Sequence, residues 1–427
     1  MESAVFDRVA PDEVGLSGRR LERIGDWMQR HVDRQRLAGI NVLVQRRGRV
    51  AYFESAGHAS QGDSAPLAAD TIFRIYSMTK PITSVAAMML FEEGAFHLDD
   101  PLANFLPEFA DMQVLVGGDA DNPQLEPARS LITMRNLLTH SAGFSYDSPV
   151  RTPVEAIYRR EKLTFTEGER PLAEVVSRLA SLPLLFHPGT RWNYSVATDV
   201  LGRVLEVISG QPLDRLLEER LLGPLGMRDT GFFVPSHKQS RLAGLYAAAS
   251  GLPPRIGTEP VRVAAAPHCG LRQIEPGTDS QFARPPKLLS GGGGLVSTSA
   301  DYLRFCRLLL NKGELDGVRL LGRKTVEFMT VNHLPADLEA MGEPRFNNGH
   351  LGRGLGFGLG FAVVLDPVRT QTPGSAGEYF WSGAASTQFW IDPSEDLIVI
   401  QMAQLLPTTL LPLHRELRTL VYQALVD

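Results

Sequence analysis

The segment Ser77-Met-Thr-Lys80 opens the stretch on which the fold prediction depends. A largely apolar run, residues 82–93, follows it and predicts a helix. Pro81 fits only the first turn of that helix, where a missing N–H costs nothing. Because positions three apart share a helix face, the Ser77 hydroxyl and the Lys80 amine are expected to meet.

This pairing has a chemical use, because a serine hydroxyl is a poor nucleophile until a neighbouring group takes its proton. A serine at a helix N-terminus also lies beside unpaired N–H groups, which favour developing negative charge. The spacing alone is weak, since chance would produce it in a chain of this composition. The alternative is a capping serine with a solvated lysine.

Two further segments contain candidate functional residues. In Pro188-Gly-Thr-Arg-Trp-Asn-Tyr194-Ser-Val196, a Pro-Gly turn and a following helix place Tyr194 on a loop, where functional residues concentrate. In Tyr379-Phe-Trp-Ser-Gly-Ala384, small residues around Gly383 permit close approach by a ligand, and the Ala384 amide can donate to an oxyanion. The alternatives are a half-buried structural tyrosine in the first segment and an aromatic core patch with a β-bulge in the second.

The two chain ends predict one α/β lobe. Apolar residues at helical spacing in residues 21–32 precede two short strands joined by a glycine turn, residues 40–45 and 50–53. Towards the other end, strands are expected over residues 361–365, 386–391 and 397–402, followed by an amphipathic helix over residues 410–425. Short turns between neighbouring strands favour an antiparallel sheet.

The middle of the chain is expected to be mostly helical, with helices over residues 133–138, 172–182, 196–208 and 213–222. The prediction is therefore an α/β (α+β) fold with an α/β lobe from residues 1–76 and 287–427. A mostly helical lobe from residues 77–286 completes it, with the active site in the cleft between them.

Composition excludes several classes of function. The 427 residues are 43% hydrophobic and 21% charged, with a net charge of −5, so wholesale disorder and nucleic-acid binding are disfavoured. Two cysteines, Cys269 and Cys306, fit a reducing compartment. With no secretory pattern at the start and no apolar run long enough to span a bilayer, a cytoplasmic location without membrane association is expected.

Other catalytic patterns are missing from the sequence. There is no G-x-S-x-G elbow of an α/β-hydrolase and no zinc-type spacing of histidines or cysteines, so neither a metal nor a cofactor is expected. His140 is interpreted as a structural hydrogen-bonding residue and Gly291–Gly294 as a tight turn at the cleft wall. Asp99 and Asp100 are interpreted as helix-capping carboxylates.

Taken together, the ordered motifs resemble the serine β-lactamase and penicillin-binding-protein superfamily, and most of all the β-lactamase-like carboxylesterases of family VIII. The resemblance implies an acyl-enzyme on Ser77, with Lys80 and Tyr194 sharing the general-base and general-acid roles. It also implies an oxyanion hole formed by the amides of Ser77 and Ala384. Secondary matches lie at residues 137–143, 188–190, 290–298 and 356–361.

Two departures from the β-lactamases favour a neutral ester substrate. The third motif begins with Trp381, where family members that hydrolyse penicillins efficiently usually have a lysine beside the carboxylate of the drug. The second motif ends in Val196, where class C enzymes have an asparagine. The expected function is a carboxylesterase acting on short-chain esters, with weak β-lactam hydrolysis at most, and with Trp381, Gly383, Phe144 and Tyr146 contacting substrate.

Several alternatives stay open at the level of sequence. The same fold serves β-lactamases, D-amino-acid peptidases or amidases, acyltransferases and non-catalytic sensors. The free pKa values of lysine and tyrosine, ~10.4 and ~10, are too high for a base at neutral pH. Either burial favours neutral Lys80 or an ammonium on Lys80 favours a Tyr194 phenolate, and the sequence supports both. Oligomeric state and the natural substrate are likewise open.

Overall fold

The computed structural model describes residues 6–60, 66–147, 150–163, 165, 169–249, 270–277, 279–342 and 352–427. Cys269 lies outside these residues, whereas Cys306 is a buried free thiol. In the described part of the chain, no helix is both long and apolar enough to cross a bilayer.

A seven-stranded antiparallel sheet is built from both ends of the chain, as predicted. Its strands are β1 (Gly39–Arg46), β2 (Arg49–Gly57), β11 (Leu355–Phe357), β12 (Ala362–Val364), β13 (Tyr379–Ser382), β14 (Gln388–Asp392) and β15 (Leu397–Ala403). Their order across the sheet is β11-β12-β13-β14-β15-β1-β2. Arg47 and Gly48, both with positive φ, form the predicted tight turn between β1 and β2.

Helices cover the sheet and fill the middle of the chain. They are α1 (Gly18–Asp33), α2 (Thr79–Glu92), α3 (Met134–Leu138), α4 (Pro153–Arg160), α5 (Leu172–Ala180), α6 (Ala197–Ser209), α7 (Leu213–Leu217), α8 (Ser299–Leu310), α9 (Arg323–Met329), α10 (Pro367–Thr370) and α11 (Leu413–Tyr422). α1 and α11 pack together, and the Trp27 indole donates to Glu416 Oε2 at 2.7 Å. α8 packs on the sheet at β15, with the Tyr302 ring 5.0 Å from that of Phe389.

Three sequence-based predictions about these elements need correction. The segment Tyr379–Ser382 is itself a strand, β13, paired with β14, and not a lead-in to one. The last helix is shorter than predicted, and residues 218–222 continue α7 as a π-helix. The predicted helical lobe also contains short strands among its described residues, at β4 (Gln113–Gly118), β5 (Pro123–Pro127), β6 (Leu245–Ala248) and β7 (Leu271–Glu275). Further short strands lie outside that lobe, at β3 (Phe73–Arg74), β8 (Val296–Ser297), β9 (Glu314–Leu315), β10 (Val318–Arg319) and β16 (Leu405–Leu406).

α2 is the helix that positions the candidate site. Its residues from Thr79 to Leu90 are all buried, which is typical of a helix enclosed on every side. It packs against α6, and the Tyr302 hydroxyl of α8 donates to the Met78 carbonyl at 3.0 Å just before it. The start of α2 is therefore fixed between the sheet-covering helix α8 and the middle of the chain.

Candidate active site

Ser77 lies in a 3-10 turn, Tyr76–Met78, that leads directly into α2. The preceding residue, Tyr76, has a φ of +42°, which a non-glycine residue adopts only when the surrounding structure holds it there. Pro81 occupies the first turn of α2, as predicted. The Ser77 side chain is half-buried, so its hydroxyl remains accessible at the surface of the site.

Two side chains approach the Ser77 hydroxyl, one from α2 and one from a loop that is distant in the sequence. The Tyr194 hydroxyl lies 2.6 Å and the Lys80 Nζ 3.2 Å from Ser77 Oγ. Both are hydrogen-bonding distances, and a hydroxyl proton rotates to suit its partners. A proton can therefore pass between Ser77 and either neighbour without any movement of the backbone.

Lys80 is buried, with 1% of its surface exposed. Its Nζ donates to the Gly292 carbonyl at 2.5 Å and lies 4.7 Å from the centroid of the Tyr194 ring. An ammonium over an aromatic face is stabilised by the ring's negative charge density. Gly291–Gly294 forms the tight turn that the sequence predicts, with the Gly294 N–H donating to Ser290 O at 2.9 Å.

The loop that carries Tyr194 is held by the segment around His140. The Asn193 N–H donates to the His140 carbonyl at 3.0 Å, and the Asn193 side-chain amide donates to the Phe144 carbonyl at 2.8 Å. His140 itself is buried, with Nδ1 3.3 Å from Ser195 Oγ and its ring 4.9 Å from that of Tyr194. These contacts agree with a structural role for His140.

The amides of Ser77 and Ala384, predicted to form an oxyanion hole, belong to adjacent segments. A side chain on Gly383 would begin only 2.3 Å from the Ile75 carbonyl oxygen, so only glycine lets β13 end against the backbone before Ser77. The turn after β13 is fixed because the Gly383 N–H donates to Thr387 O at 2.8 Å. The role of the two amides stays a prediction.

Aromatic rings surround the Tyr194 side chain. The rings of Trp381 and Tyr146 lie 5.3 and 5.5 Å from it, and Trp381 is 3% exposed. Phe144 has no exposed surface and packs against Phe109, so a substrate would contact Tyr146 before Phe144. The indole N–H of Trp381 has no hydrogen-bond partner within the described structure.

Burial controls the protonation of the groups around Lys80. Burial, together with the Lys80 charge, lowers the pKa of His140 well below its ordinary value, so the imidazole is neutral. Burial, followed by the nearby Tyr194 and Asp199, raises the pKa of Tyr146 well above its ordinary value. Tyr146 is therefore a neutral phenol that shares a hydrogen bond with Tyr194.

Asp199 is a residue at the site that the sequence analysis missed. It lies in the first turn of α6, five residues after Tyr194, and its carboxylate accepts from Ser290 Oγ and from the Gly292 N–H. The available signal was an acidic residue on the apolar side of a helix beside Val200 and Leu201. In the described ranges, no cluster of three His, Cys, Asp or Glu side chains is placed to hold a metal ion.

Comparisons with known proteins identify the family of the chain. Residues 24–423 match the family model described as beta-lactamase. The chain is 36% identical to Protein Rv1367c of Mycobacterium tuberculosis over 374 residues, covering 87% of this chain and 86% of that protein. It is 32% identical to Esterase EstB of Burkholderia gladioli over 394 residues, covering 89% and 88% of the two chains. The structure of EstCE1, described as a hydrolase with promiscuous acyltransferase activity, superposes with a TM-score of 0.75 at 28% identity, covering 95% and 99%.

Proposed function

We propose that this chain, which belongs to the β-lactamase family and is a serine hydrolase, is a carboxylesterase that hydrolyses short-chain esters through an acyl-enzyme on Ser77. The observation that supports this most directly is the approach of the Tyr194 hydroxyl and Lys80 Nζ to Ser77 Oγ, at 2.6 and 3.2 Å. A nucleophile within reach of two proton acceptors is the arrangement that acyl transfer requires.

In the first half of the reaction, Ser77 Oγ attacks the ester carbonyl carbon while its proton passes to the Lys80–Tyr194 pair. Negative charge on the carbonyl oxygen would be met by the amides of Ser77 and Ala384, and each such donor contributes about 3 kcal/mol elsewhere. The pair then returns the proton to the departing alcohol oxygen as the carbon–oxygen bond breaks. An acyl-enzyme and a free alcohol remain.

In the second half, water replaces the alcohol and the same groups act in reverse. The pair takes a proton from the attacking water, and Ser77 Oγ recovers it when the acyl bond breaks. The carboxylic acid leaves and the site is restored. An alcohol in place of water would give acyl transfer, the reaction named for EstCE1.

The side chain of Trp381 supports an ester in preference to a penicillin or cephalosporin. It presents an aromatic surface beside Tyr194, with no positive charge at the position where the carboxylate of a β-lactam would need one. A neutral ester has no carboxylate, so it does not require a positive charge at this position. The similarity to Esterase EstB, which is named as an esterase, supports the same preference.

The test is turnover of nitrophenyl esters from acetate upward, measured beside a chromogenic cephalosporin and repeated with Ser77→Ala. We expect the shorter esters to be hydrolysed fastest and Ser77→Ala to lose at least about 10⁴-fold in kcat/KM. Ser181→Ala is the matched control, because Ser181 is an exposed serine at the end of α5. Ester hydrolysis that survives in Ser77→Ala would refute the proposal, and analysis of products with an added alcohol separates hydrolysis from transfer.

A further inference from the structure

Asp199 is a buried carboxylate next to the reacting groups, and the mechanism above does not use it. It is 1% exposed and accepts from the Ser290 hydroxyl at 2.5 Å and from the Gly292 N–H at 3.0 Å. A hydroxyl donor this short is typical of a hydrogen bond to an ionised acceptor. A buried carboxylate is expensive, so its charge requires a partner.

The partner is Lys80, and Gly292 lies between the two. The N–H of Gly292 donates to Asp199, and its carbonyl accepts from Lys80 Nζ at 2.5 Å. Gly292 therefore connects the two side chains through its own backbone. A side chain on Gly292 would begin 2.4 Å from Asp199 Oδ2, so glycine keeps the carboxylate close. Burial raises the pKa of the Asp199 carboxyl, and the attraction of the Lys80 charge is the largest effect that opposes this rise.

Among the described residues, the neighbouring groups His140 and Tyr146 supply no permanent counter-charge to Lys80. His140 is buried and Tyr146 is half-buried, and both are neutral because the pKa of the imidazole is lowered and that of the phenol is raised. Tyr194 contacts Lys80 through its ring and Ser77 through its hydroxyl. The carboxylate of Asp199 is therefore the fixed negative charge that favours an ammonium on Lys80.

We propose that Asp199 is a positioning residue whose carboxylate keeps Lys80 protonated across the Gly292 turn, so that Tyr194 takes the Ser77 proton. This inference rests on the proposed esterase function. The Ser77 proton passes to the Tyr194 phenolate oxygen as the bond from Oγ to the carbonyl carbon forms, and Lys80 keeps its own protons throughout. Tyr194 later returns the proton to the departing alcohol oxygen.

The experiment is the pH profile of kcat/KM for a nitrophenyl ester with Asp199→Asn and Ser290→Ala. Asparagine keeps an acceptor for Gly292 but removes the negative charge, so the Lys80–Tyr194 pair releases its protons more readily. Both limbs of the profile are then expected to move to lower pH by about 1 unit. Ser290→Ala keeps the charge and removes one donor, so its limbs stay in place even if the rate falls.

Limbs that do not move in Asp199→Asn, with ester turnover intact in the unaltered protein, would overturn this inference and leave the proposed function standing. So would equal movement in Ser290→Ala, because the turn and not the charge would then be responsible. A second measurement needs no Asp199 variant: nitrogen NMR of ¹⁵N-lysine-labelled protein, with the Lys80 signal assigned by its loss in Lys80→Met. An ammonium signal for Lys80 at neutral pH is expected, and a neutral amine would refute the inference. An absence of turnover by the unaltered protein would instead refute the proposed function.

Discussion

At the scale of single residues, Trp381 is the side chain on which the proposed preference for esters depends. Its ring packs between those of Tyr194 and Phe357, at 5.3 and 5.4 Å, in the motif where the family resemblance implies a lysine in efficient β-lactamases. The proposed preference for esters therefore depends on the missing positive charge, which a single substitution can introduce.

We predict that Trp381→Lys raises the ratio of β-lactam to ester hydrolysis by about tenfold or more, since an opposite charge near a partly buried carboxylate contributes on the order of 1.4 kcal/mol or above. The measurement compares kcat/KM for a cephalosporin and a nitrophenyl ester in the same preparation. Trp381→Met is the control, because it removes the ring without adding charge. An equal rise in both variants would show that space, and not charge, limits β-lactam turnover.

At the scale of elements, the buried pair Glu378–Arg418 fastens α11 to the sheet. Arg418 is 3% exposed, donates to Glu378 Oε2 at 2.8 Å and stacks over the Trp390 ring at 5.0 Å. Tyr422, one turn further along α11, donates to the same carboxylate at 2.6 Å. The last helix is therefore held by a charge network as well as by apolar contacts.

We predict that Arg418→Met destabilises the protein by about 3–5 kcal/mol, because it leaves Glu378 buried without its counter-charge. The urea midpoint should fall, and amide hydrogen exchange should increase first in α11. The double variant Glu378→Gln with Arg418→Met should recover much of the loss, since the orphaned charge is gone. No recovery would mean that Arg418 acts through packing alone.

The elements also show what the sequence could and could not predict. The strands at the two chain ends follow from short apolar runs bounded by turns, and the helices there follow from helical periodicity. The antiparallel pairing follows from the short turns between neighbouring strands. β13 was missed because it is only four residues long and is followed directly by the small residues Gly383 and Ala384, a pattern that is equally typical of a loop. Asp199 was missed because a charge buried in a helix becomes meaningful only when a distant residue, Gly292, is brought beside it.

At the scale of the whole molecule, stability depends on carboxyls whose protonation differs between the folded and unfolded chain. Asp301 in the first turn of α8 is 7% exposed, and its Oδ2 accepts from the Asp229 N–H at 2.7 Å and from Thr230 Oγ1 at 2.9 Å. Burial, only partly offset by these donors, raises the pKa of Asp301 to about 6. The folded protein therefore binds this proton more tightly than the unfolded chain does.

The sign of the effect follows from that difference. Stability contributed by the protonated Asp301 is fully present below the unfolded value, about 4, and is lost as the pH rises through about 6. A difference of about 2 units corresponds to about 3 kcal/mol. Asp301→Asn is uncharged at every pH, like the protonated form of Asp301. We therefore predict that this variant is more stable than the unaltered protein above pH 6 but not near pH 4. Urea midpoints measured across that pH range would test this. Asp279→Asn, which changes an exposed carboxylate, should show no such trend. If the difference in urea midpoint between Asp301→Asn and the unaltered protein did not change with pH, the charge of Asp301 would have no effect on the stability of the fold.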